Sequence, residues 1–137
     1  MRQTAERLMD YETKGCESAR QKIAAACLIS EKLRPQLTML MGRAGYRALL
    51  SRSLALANEE VDSLRVMHVN EDGTLADLDA LETQVDPEEI FTGCTVLLAH
   101  LLGLLVAFIG EHLTLQLVRE SWPKLPPPPP QNKKALK

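Results

Sequence analysis

The sequence predicts a mainly α-helical bundle of four or five helices with a long apolar helix near its C-terminal end. Three observations carry this expectation. Apolar residues make up 45% of the 137 residues but aromatics only 4%, so the core is aliphatic, which suits packed helices better than a sheet. Apolar positions recur three and four residues apart through most of the first 57 residues, the spacing of a helix face. The stretch from Phe91 to Val118 is almost entirely apolar and is bracketed by helix punctuation. The length fits one domain with a real core. We expect a single helical domain over 1–123, followed over 124–137 by a polyproline and basic tail that is disordered.

The first helical stretch runs from about Thr4 to Leu33, where Leu8, Tyr11, Gly15, Ala19, Ile23, Ala26 and Ser30 share a face. Gly15 weakens it by about 1 kcal/mol relative to Ala and invites a break or bend. Pro35 demands a further boundary or kink. Gly42-Arg43-Ala44-Gly45 punctuates the chain again. Tyr46 to Ala57 then forms a helix whose inner face is Tyr46, Leu49, Leu50, Ser53, Leu54 and Ala57. Over residues 64–78 the pattern alternates around Asn70-Glu71-Asp72-Gly73-Thr74. Asp-Gly suits a tight turn, so a short β-hairpin fits here, as does a loop with one helical turn over 75–81. Pro126 to Pro130 favours polyproline II, and neither it nor the basic end suits a core.

The apolar helix opens with Asp86 as cap, Pro87 at the first helical position, then Glu88 and Glu89 at the positive end of the helix dipole. It is expected to run to Trp122-Pro123, where proline cannot continue a helix. From Val96 to Ile109 His100 is the one polar side chain. A helix apolar on every side must be covered by its own chain, a partner or lipid. Ala99, Gly103, Ala107 and Gly110 make a stripe of small residues. Close packing against another helix of the chain explains it, and so does self-association through it. The uncharged run between Glu89 and Glu111 is long enough for a membrane span, but Thr92, Cys94, Thr95, His100 and the glycines dilute it, and a span is disfavoured. If the face of Glu111 is buried, its carboxylate needs a partner, and Arg43, Arg47 and Arg52 are the candidates for a structural ion pair.

Charge is unevenly laid out. Residues 1–58 carry ten bases and five acids, and residues 59–89 carry eleven acids and one base. This suits a basic helical face lying beside an acidic connector, with a charged partner as the sharper reading. Lys32, Arg34, Arg43, Arg47 and Arg52 on two helices around a glycine turn resemble a helix-turn-helix outline. The overall pI near 5.9 opposes nucleic acid as a partner. Cys16, Cys27 and Cys94 form no paired framework, and no apolar segment follows Met1–Arg7, so reduced thiols and a cytosolic setting are expected. His68, His100 and His112 are scattered, Glu111-His112 lacks the second histidine of a zinc-protease helix, and no phosphate-binding glycine loop occurs. No catalytic residue, cofactor or metal is therefore assigned.

The segments Gly45-Tyr46-Arg47-Ala48-Leu49-Leu50-Ser51-Arg52-Ser53-Leu54 and Phe108-Ile109-Gly110-Glu111-His112-Leu113-Thr114, with Trp122-Pro123, resemble a small bacterial helical protein family of uncharacterised function, over roughly residues 36–123. The resemblance implies a bacterial, cytosolic, modular protein and no catalytic residues. Taken together, the sequence points to a non-enzymatic interaction or regulatory module that forms a homo-oligomer or binds another protein. A small-ligand-binding or sensory bundle is the alternative, and a DNA-binding regulator ranks third.

Overall fold

The computed structural model describes residues 2–62, 64, 67–70, 75–76 and 86–124. Among these it is mainly helical, with four helices packed together. Helix α1 spans Arg2–Glu12, α2 spans Ala19–Glu60, α3 spans Pro87–Ile109 and α4 spans Glu111–Ser121. The segments His68–Val69 and Leu75–Ala76 pair antiparallel, His68 with Ala76 and Val69 with Leu75. Residues 65–66, 71–74 and 77–78 lie outside the described residues, so the expected hairpin is not established beyond these two pairs. The tail from residue 125 onward also lies outside them.

Local chemistry sets the boundaries. The chain breaks after α1, where the Thr13 hydroxyl donates to the Met9 carbonyl at 2.6 Å and Gly15 takes φ 86°. Ser18 then caps α2, its side chain accepting from the Gln21 amide at 3.2 Å. The helical stretch read over Thr4–Leu33 is thus two helices, broken around Gly15 where a break or bend was expected. Pro35, expected to end or kink a helix, lies inside α2. Leu33 and Leu37 flank it and are fully buried, and their packing offsets the roughly 3 kcal/mol that an interior proline costs. The kink falls instead at Gly42, whose φ of 82° and ψ of 165° are not helical. Asp86 caps α3 as expected, accepting from the Glu88 amide at 3.2 Å. The single helix expected from Phe91 to Val118 is interrupted. Gly110, at φ 93° and ψ 157°, ends α3 and begins α4, in a region that only glycine occupies readily.

One core cluster joins all four helices: Leu8 and Met9 of α1, Leu33, Leu37 and Leu50 of α2, Leu101, Leu102 and Leu105 of α3, and Val118 with Trp122 at the end of α4. A second packs Ile23, Leu54 and Ala57 against Leu64, Ile90, Val96 and Leu97. Gly93 permits one close approach here. A Cβ on it would lie 2.8 Å from a methyl of the fully buried Leu64.

Candidate interaction surface

Helix α3 is only partly covered. Of its most apolar 18-residue window, 44% is buried. Its inner face, including Val96, Leu97, Leu98, Leu101, Leu102 and Leu105, is in the core. The outer face at the C-terminal end is not: Gly103, Ala107 and Phe108 are exposed, Phe108 at 68%. By length and composition α3 could cross a membrane, a test that a core helix also passes.

A groove runs between this outer face and the second half of α2. Met41, Gly45, Ala48, Leu49 and Arg52 line it from α2, and Leu104, Ala107 and Phe108 from α3; it encloses about 500 Å³. The lining positions of α2 fall three and four apart and those of α3 do the same, so each set is one helix face. Small side chains at Gly45, Ala48 and Ala107 keep the groove open, and Arg52 is its one charged lining residue.

The small-residue stripe is divided. Ala99 is in the core, whereas Gly103, Ala107 and Gly110 are exposed. Among the described residues a Cβ on Gly103 would meet nothing within 4 Å, so none of the four described helices packs closely there. The lone-carboxylate argument for Glu111 also fails. Because Gly110 starts a new helix, Glu111 lies in the exposed first turn of α4. Among the described residues it makes no ion pair with Arg43, Arg47 or Arg52. Arg43 and Arg52 are exposed, while the Nε of Arg47 is buried without a hydrogen-bond partner. Arg43 lies with Arg34, Pro35, Thr38 and Met39 in another depression. It is nine residues from Arg52, half a turn out of phase, so the arginines form no single stripe for a phosphate backbone.

His100, the lone polar side chain of the apolar stretch, meets Glu60. Its Nε2 lies 2.5 Å from Glu60 Oε2, while Arg2 donates to Oε1 at 3.0 Å. Hydrogen bonds first from Arg2 and then from His100 hold the Glu60 carboxyl below its ordinary range. This clasp ties the start of α1 to the end of α2 and to α3. Among the described residues no group of three His, Cys, Asp or Glu side chains could hold a metal ion.

Sequence reasoning found Ala107 and Arg52 but not Met41, Gly45, Ala48, Leu49, Leu104 or Phe108 as neighbours across one groove. Positions 41, 45, 48 and 52 are spaced three and four apart, but that spacing does not name α3 as the face opposite. No family model, characterised protein or solved structure matches the chain, so any functional reading rests on these residues.

Proposed function

We propose that the chain is a non-enzymatic, cytosolic protein-interaction module that self-associates through the α2–α3 groove. The observation that carries this reading is the groove itself, with Phe108 exposed on its rim. A contiguous apolar strip of this kind marks an interface more readily than a solvated face. Exposed Gly103 and Ala107 support it, because small residues let a second backbone come close. Light scattering tests the reading: a mass well above 15.2 kDa at micromolar concentration is expected, and a monomer overturns it. The second reading is a small-ligand site, favoured by a volume inside the usual range of about 300–1,000 Å³ for ligand pockets. The groove is open along its length, which suits a helix better than a small molecule. Saturable binding of an apolar dye that Ala107→Arg abolishes, in a chain that stays monomeric, would favour the ligand.

A further inference from the structure

Resting on that self-association reading, we propose that the groove pairs with its own copy on a second molecule across an antiparallel twofold axis near Ala107, Arg52 of each chain meeting the partner's Glu111. The helices that form the groove fix its two ends. His100 of α3 meets Glu60 of α2, while Leu104, Ala107 and Phe108 share the groove with residues 41–52. The second half of α2 therefore runs antiparallel to α3. Arg52 and Leu104 mark one end, and Met41 and Phe108 mark the other. Glu111 follows Phe108 by three residues and is exposed in the first turn of α4, directly after the turn at Gly110 that ends α3.

Arg52 and Glu111 are both exposed, and neither makes an ion pair among the described residues. The groove is thus an apolar strip with an unpaired cation at one end and an unpaired anion beyond the other. An isologous dimer uses the same patch twice. With the axis perpendicular to α3, the Arg52 end of one copy faces the Glu111 end of its mate, and two such pairs form. With the axis along α3, arginine faces arginine and glutamate faces glutamate, which disfavours that register. The antiparallel arrangement also brings Ala107 against its counterpart, leaves room for the mate beside the exposed Gly103, and offers Phe108 a place in the facing groove.

The experiment is sedimentation equilibrium on the full chain with Arg52→Glu, Glu111→Arg and the double exchange, each checked by circular dichroism. The parent chain is expected as a dimer. Each single reversal should raise the dissociation constant at least about tenfold, since like charges then meet at both ends, and the double exchange should bring it back to within about threefold. A disulfide-linked dimer of Ala107→Cys, absent from the parent under the same mild oxidation, would place the axis. A dimeric parent whose single reversals bind as tightly as before, or whose double exchange stays weak, overturns this arrangement and leaves self-association standing. A parent chain that is monomeric at all concentrations overturns both.

Discussion

The indole Nε1 of Trp122 donates to Glu12 Oε1 at 3.0 Å across 110 residues of sequence. The same oxygen accepts from Lys32 Nζ at 2.7 Å, and that ammonium lies 5.5 Å from the centre of the Trp122 ring. The Glu12 side chain is only 7% exposed, and Trp122 is in the core. Three elements are therefore tied at one carboxylate: the end of α1, the first half of α2 and the residue that closes α4. Gln36 adds a bond to Ser121 at 2.6 Å beside it. Trp122→Phe keeps most of the ring packing but removes one of the two donors to a poorly solvated carboxylate. We expect a loss of about 1–3 kcal/mol, and about 3–5 kcal/mol for Trp122→Ala. Urea unfolding followed by circular dichroism checks both values, since the substitutions remove the chain's single tryptophan.

Gly93 and Gly103 should respond in opposite directions to the same change. At Gly93 an added methyl runs into Leu64, with Cδ2 at 2.8 Å and Cγ at 3.2 Å. Leu64 is fully buried and has little room to withdraw. Gly93→Ala is expected to cost about 1–3 kcal/mol. At Gly103 the methyl meets nothing, and the residue is exposed inside α3. Gly103→Ala should stabilise the chain by about 0.5–1 kcal/mol through lower backbone entropy of the unfolded state. Thermal melts of the two variants at low protein concentration decide the matter, and equal shifts would refute the packing argument.

The Glu60 clasp has a defined pH signature. Its folded carboxyl is held below the ordinary value of 4.5 by Arg2 and His100. A depressed carboxyl stabilises the fold through its ionised form. That contribution is fully present above the ordinary carboxylate range and is lost as the pH falls through the lowered value. The difference in unfolding midpoint between the parent and Glu60→Gln should therefore be largest near neutrality and shrink toward strongly acidic pH. Because the Glu60 side chain is exposed, the difference should also shrink with added salt. A gap between the two proteins that widens as the pH falls below the ordinary carboxylate range would contradict the clasp.

What was legible in the sequence divides along physical lines. Tyr46, Leu49, Leu50, Ser53, Leu54 and Ala57 were read as one inner face; all are buried except Leu49, which is half-buried and lines the groove, because helical periodicity reports burial but not its exact width. Asp86-Pro87 marked the start of α3 because capping is local chemistry. Pro35 and Gly110 were misjudged for a shared reason. Each sits at a point where tertiary packing, not local propensity, decides whether the helix continues. Leu33 and Leu37 hold the helix through Pro35, while α4 leaves the line of α3 at Gly110 and reaches α2 through Ser121. Once the helix turns at Gly110, Glu111 is no longer on a buried face. The groove was half legible for a similar reason. Its two faces are periodic, but periodicity does not say which two faces lie side by side.

Tyr46 supplies the sharpest test of burial without satisfaction. Tyr46 is 1% exposed, and its hydroxyl is buried with no hydrogen-bond partner among the described residues. Burial pushes its pKa up to about 12, with opposing smaller effects from Arg34 and Glu31 across the kink at Gly42. A buried hydroxyl that lacks a partner retains its desolvation penalty, about 1–3 kcal/mol in comparable cases. Tyr46→Phe removes the hydroxyl and keeps the ring, so it should leave stability unchanged or raise it by about 1 kcal/mol, with no change in the steepness of the urea transition. Tyr46→Ala should cost about 3–5 kcal/mol, which separates the value of the ring from that of its oxygen. A Phe variant that unfolds well below the parent would mean that the hydroxyl is engaged in solution and that the charges of Glu31 and Arg34 hold it in place.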